Sequence, residues 1–119
     1  MSQHRKYRGY HSQALGAEFL QANGFPYAES TGAGRSGTDI TGTPGIDWEF
    51  GARRGFPVVE KMRQLDERAQ DGKLGVVVLR PDGMGEKSIH LWPFIVCFAD
   101  GVALLRAAGY GTPLEGESS

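Results

Sequence analysis

A single cysteine, Cys97, is present among 119 residues, so the chain can form neither an internal disulfide nor a zinc site of clustered thiolates. It sits in the apolar run WPFIVCF, where it reads as a small packed hydrophobe. No apolar stretch approaches transmembrane length, so no membrane partner is expected. The formal net charge is only −1, which excludes binding to nucleic acid by bulk positive charge alone. His11 and His90 have no spacing that suggests zinc ligation. The N-terminus is basic and polar without an apolar segment behind it, so no secretion signal is expected and the cytoplasm is the expected compartment. No internal repeat occurs.

What charge there is lies unevenly. Arg5, Lys6 and Arg8 precede the first acid, Glu18, whereas the tail from Pro113 carries Glu115 and Glu117 and no base. The length fits one domain. We expect a basic N-terminal arm over 1–10, a single domain over 11–112, and a disordered acidic tail over 113–119. Leu15, Phe19, Leu20 and Ala22 recur at helical spacing, which predicts a helix from Ser12 to Asn23 ended by Gly24. Short strands are expected over Phe25–Ser30, Thr38–Thr41 and Ile46–Arg53, with a tight turn at Thr43-Pro44-Gly45. Pro57 opens a second helix carrying Val58, Val59, Met62, Leu65 and Ala69 on one face, ending near Asp71-Gly72. Leu74–Leu79 is nearly all apolar, as a strand covered on both faces should be. Pro81–Lys87 reads as a loop, Ile89–Phe98 as a strand broken by Pro93, and Asp100 as the cap of a last helix through Ala107. A strand reached through a helix implies an α/β fold, a mixed sheet with helices on its faces.

The chemistry concentrates in Ser30–Arg54, STGAGRSGTDITGTPGIDWEFGARR. Alternation along the third strand puts Asp47, Glu49, Gly51 and Arg53 on one face and Ile46, Trp48 and Phe50 on the buried one. If Asp39 lies on the neighbouring strand, its carboxylate reaches the same metal as Glu49. Such oxygen ligands suit Mg²⁺, with Mn²⁺ as a substitute. The competing reading is that Asp39 caps a turn while Asp47 and Glu49 face water. Gly32, Gly34 and Gly37 permit a close approach by a phosphate backbone, with Arg35 at the loop tip.

The runs GAGRSGTDITGTPGIDWEF, NGFPYAEST and ARRGF resemble small PD-(D/E)XK nucleases, nearest to Holliday junction resolvase-like proteins of phage and archaeal type. The resemblance spans Arg5 to Tyr110, with the specific part between Asp39 and Arg54. It implies a restriction-endonuclease-like fold in the order αβββαβ, followed by a C-terminal strand and helix. It further implies a Mg²⁺-dependent, structure-selective endonuclease that cleaves branched or four-way DNA by metal-activated water, working as a homodimer. A phage-encoded chain would act in the host cytoplasm.

By this correspondence Asp39 and Glu49 are the metal ligands, and Gln13 stands where the family's first helix often supplies another acid. The family motif continues Glu-x-Lys, and this chain departs from it with Gly51. Arg53, Lys61 and Gln64 are the candidates to take over the lysine's role. Arg5, Lys6, Arg8, Arg35, Arg53 and Arg54 form the expected DNA-contacting set, with Tyr7 and Tyr10 as stacking surfaces. Trp92, Phe94 and Ile95, or the Met62 face of the second helix, are the candidate dimer surfaces. The alternative reading is a catalytically impaired module that keeps the fold for DNA binding or for structural and protein interaction.

Overall fold

The apolar run LGVVVL forms the central strand of a three-stranded mixed sheet in a computed structural model that describes residues 2–32, 37–68 and 72–112, the first seven of these by backbone alone. This strand, β4 (Leu74–Leu79), pairs in parallel with β3 (Ile46–Gly51), in register from Ile46 opposite Leu74 to Gly51 opposite Leu79. On its other side it pairs antiparallel with β5 (Phe94–Ile95), Val78 opposite Phe94. Parallel neighbours need a long crossover. Here α2 (Val58–Arg68) supplies it. The fold is therefore α/β, as the sequence predicts.

A second, two-stranded sheet of β1 (Glu29–Ser30) and β2 (Ile40–Thr41) precedes β3. Hydrogen bonds of the two residues before β2 join the sheets, two of them at Trp48. The Asp39 N–H donates to the Trp48 carbonyl at 2.9 Å, and the Trp48 N–H donates to Thr38 Oγ1 at 2.8 Å. Asp39 is thereby held beside the middle of β3.

The α1 helix (Ser2–Ala22) covers the sheet face that carries Trp48 and Phe50, and Leu15, Ala17, Ile40 and Val76 complete that core. Gly16 is required there, since a Cβ would stand 2.4 Å from the Phe50 ring. The opposite face is covered by α2, whose Leu65 is fully buried over Gly75. Val58 and Met62 share that stripe and are half-buried. Val59, one step around the helix, is 82% exposed and does not belong to the apolar face.

Several boundaries differ from expectation. The first helix begins at Ser2 rather than Ser12, because its basic segment is helix-compatible yet has no apolar period to betray it. The expected strand from Phe25 shrinks to Glu29–Ser30, because the Phe25 N–H bonds to Leu20 O and the Ala28 N–H to Phe25 O, closing turns. The second strand keeps only Ile40–Thr41, and the third stops at Gly51. Glu86–Leu91 is a 3-10 helix, so the expected strand over Ile89–Phe98 keeps only Phe94–Ile95. The last helix, α3 (Phe98–Ala107), starts before Asp100, which sits in its first turn instead of capping it. The end of α2 near Asp71 and the acidic tail 113–119 lie outside the described residues.

Gly42, after β2, has φ +82°, and a Cβ would lie 1.8 Å from the Tyr27 carbonyl oxygen. Gly42→Ala is expected to destabilise the chain by about 3 kcal/mol or more, read as a lowered urea midpoint. A midpoint equal to wild type would show that the Tyr27 turn is not packed as described.

Candidate active site

Asp39 enters from the residue before β2, and Glu49 stands in the middle of β3 on the face toward α2. Asp39 is 9% exposed and Glu49 is half-buried. The Phe50 N–H donates to Asp39 Oδ2 at 2.7 Å, which fixes the carboxyl and leaves its other oxygen turned away from that bond. Burial pushes the Asp39 carboxyl up to about 6, against the opposing pull of the Phe50 N–H, and the charge of Glu49 raises it further. Glu49 is likewise held above the usual carboxylate range by burial, opposed by Lys61 and then Arg68. No hydrogen bond stabilises the Glu49 carboxylate among the described residues.

Lys61 and Arg68 stand seven positions apart on α2 and so share one face, two turns from each other. Their charges act on both carboxylates. Arg68 also grips Asp47, Nε to Oδ2 at 2.8 Å and Nη2 to Oδ1 at 2.6 Å. Asp47 is therefore buried in an ion pair, and the expectation that it faces water or the site is corrected.

The charge of Glu49 thus raises the Asp39 carboxyl, and the charge of Lys61 acts on both. Arg53 follows the end of β3 and lies with Arg54, Arg80 and Asp82 along an open groove of about 250 Å³ beside Gly51 and Phe56. It is not among the charges acting on Asp39 or Glu49. Arg54 is exposed and pairs with Asp82 at 3.2 Å. Gln64 is exposed too, and its Nε2 donates to Glu60 Oε2. Gln13 accepts from the Ser30 hydroxyl at 3.2 Å, one strand away from Asp39. Arg35 and the side chains of Arg5, Lys6 and Arg8 lie outside the described residues.

Two participants have no counterpart among the residues singled out from the sequence. Arg68 could have been found from its spacing to Lys61 on a helix that faces Asp47 and Glu49. Phe56 could not. A Cβ on Gly51 would stand 2.5 Å from the Phe56 ring, so that ring occupies the space a side chain at position 51 would need. Gly51→Lys is accordingly expected to destabilise the chain by about 1–3 kcal/mol through overpacking, and Phe56→Ala in the same chain to relieve it. Equal urea midpoints for wild type and Gly51→Lys would show that the ring yields freely.

Among the described residues no group of three or more histidine, cysteine or acidic side chains gathers to hold a metal. A buried and a half-buried carboxylate, the charge of one raising the other, nonetheless suit a hard divalent cation. Mg²⁺ is commonly bound through one or two carboxylates with waters and substrate phosphates. The donor set therefore fits. Comparison with protein-family models, curated proteins and solved structures finds no match to this chain. No described helix is long and apolar enough to cross a membrane.

Proposed function

We propose that this chain is a Mg²⁺-dependent endodeoxyribonuclease of the restriction-endonuclease-like fold, acting on branched DNA in the manner of Holliday junction resolvases. The observation that supports the reading is electrostatic: the charges of Glu49 and Lys61 act on the buried Asp39 carboxyl, and that of Lys61 on half-buried Glu49, from three different stretches of the chain. The order of elements, with a β3–α2–β4 parallel crossover behind the carboxylates, is the one the family resemblance calls for.

In this reading Asp39 and Glu49 hold the cation, which when bound supplies Lewis-acid polarisation of the scissile phosphate and acidifies water. The Phe50 N–H holds one oxygen of Asp39, so the carboxyl's orientation is fixed before any cation arrives. Lys61 takes the place of the missing motif lysine. Its Nζ donates to the phosphate or the attacking water and stabilises negative charge as it develops. Arg68 keeps Asp47 out of the cation site by occupying both of its oxygens. Arg53 and Arg54, along the groove past Gly51, provide phosphate contacts that set the register of the strand. Symmetric cutting of a four-way junction needs two related sites, so the active unit is a homodimer.

A second reading is favoured by Phe56. With its ring over Gly51, the motif position can carry no amine, as in a module that binds DNA without cutting. Cleavage of a labelled four-way junction beside a matched linear duplex, in Mg²⁺, Mn²⁺ or EDTA, separates the two. Metal-dependent incision of the junction in preference to the duplex is expected. Junction binding with no incision in either metal would transfer the assignment to the binding module.

A further inference from the structure

The last helix of this chain is built to be covered and is not. Phe98, Val102 and Leu105 recur at i, i+4 and i+7, the spacing of a stripe that faces a core. Yet Phe98 is 88% exposed, Val102 44% and Leu105 53%, and α3 buries none of its residues. Its first turn abuts α2, where Cys97 and Asp100 meet Met62 and Leu65.

A second apolar surface is also left unfilled. A cavity of about 310 Å³ opens on the other face of the sheet, lined by Phe19, Phe25, Trp48, Phe50, Val78 and Phe94. Phe94 is 55% exposed and stands edge-on to Trp48, and it precedes the start of α3 by four residues. Because α3 departs on the α2 side, no described helix fills this groove.

We propose that these two surfaces form an interface between two copies of this chain, the α3 stripe of each copy seated in the aromatic groove of the other. A two-fold interface must be self-complementary, and a chain carrying both an apolar stripe and an apolar groove meets that requirement when two copies exchange their α3 helices, each stripe reaching across to the other copy's groove. Size agrees as well. Phe98, Val102, Leu105, Phe94 and the neighbouring exposed Leu91 and Tyr110 can together bury roughly 600 Å² more per copy, close to the ~800 Å² per partner of a stable interface. Arg106 is the only base on α3 and Asp100 its only acid, so the helix lacks the cationic face that would draw it to DNA or an anionic membrane. Of the dimer surfaces considered from the sequence, Trp92 lines this groove but exposes little of itself, whereas Phe94 is exposed at its edge.

This names the surface of the dimer that the proposed function calls for, but it stands on exposure and shape alone. Sedimentation velocity of the full chain tests it, with far-UV circular dichroism to confirm folding. Wild type is expected to sediment as a dimer at micromolar concentration. Phe98→Glu combined with Leu105→Glu, and separately Phe25→Glu, are expected to weaken dimerisation at least about a hundredfold. Val59→Glu, on an exposed apolar position of α2, should leave the dimer intact. A monomeric wild type, or a dimer that survives the two α3 charges, overturns the proposal. A dimer that survives Phe25→Glu alone overturns the seating of stripe in groove. A monomer that cuts DNA would leave the nuclease reading standing, and a dimer that cuts nothing would leave this one.

Discussion

Asp39→Asn is expected to abolish metal-dependent cleavage and, in the same molecule, to make the metal-free protein more stable. Both effects come from burial. The Asp39 carboxyl is pushed up to about 6 because ionising it inside the fold is unfavourable. An acid whose folded value is raised stabilises the fold when protonated in both states and loses that contribution as pH rises through the folded value. Below about pH 4 the charge is absent and wild type should match Asp39→Asn. The gap should open between about pH 4 and 6 and stay constant above that. A raise of this size corresponds to about 2–3 kcal/mol, with the opposing Phe50 N–H bond already included in it. A gain of about 2–3 kcal/mol, or about 10 °C in Tm at pH 8, is the expected result. Thermal melts of both proteins in EDTA at low and high pH check it. A variant less stable than wild type at pH 8 would mean that Asp39 serves the fold and not a ligand. The loss of cleavage should exceed about a thousandfold, since an amide is a poor ligand for a hard cation and the neighbouring Glu49 would hold it alone.

Lys61→Met is expected to lower cleavage by about a hundred- to a thousandfold while leaving cation binding intact or tighter. The methionine keeps the side chain's apolar stem and removes only the charge. If Lys61 serves the reaction, the loss falls on the rate. If it serves only to neutralise Asp39 and Glu49, a bound cation takes over that task and cutting persists. Removing a positive charge beside two carboxylates should, if anything, favour the cation. Single-turnover cleavage at saturating Mn²⁺, together with the Mn²⁺ affinity of each protein, separates the possibilities. Unchanged cutting by Lys61→Met would remove the residue from the proposed chemistry. The placement of Phe56 makes the comparison informative, because position 51 cannot provide the amine without displacing a ring.

The sequence makes some of this molecule readable and hides the rest for physical reasons. β4 is legible to the residue, because six nearly continuous apolar positions bounded by polar ones admit few alternatives. β3 is legible in its alternation: Trp48 and Phe50 face the core, Asp47 and Glu49 the other way. That the charge of Glu49 acts on Asp39 follows from that alternation and a short turn between them. The C-terminal third is less readable. WPFIVCF is apolar enough for a strand, but Pro93 cannot donate to a ladder, and only Phe94 and Ile95 pair. The exposure of α3 is invisible in principle, since its stripe has the pattern of a buried helix. Arg68 shares a helix face with Lys61 by spacing, but its grip on Asp47 depends on the placement of α2 over β3. The contact between Phe56 and Gly51 depends on the turn at Gly55, where φ is +74°, and no periodicity announces it.

The central claim is that Asp39 and Glu49 form a divalent cation site. Titration of Mn²⁺ into the isotopically labelled full chain, read by amide NMR, tests it most directly because paramagnetic broadening reports proximity to the ion. The account predicts selective loss of the Thr38–Ile40 and Trp48–Phe50 signals at low Mn²⁺, and no such loss in Asp39→Asn. Broadening that is centred elsewhere, such as on the acidic tail at Glu115 and Glu117, and equal in both proteins would contradict it.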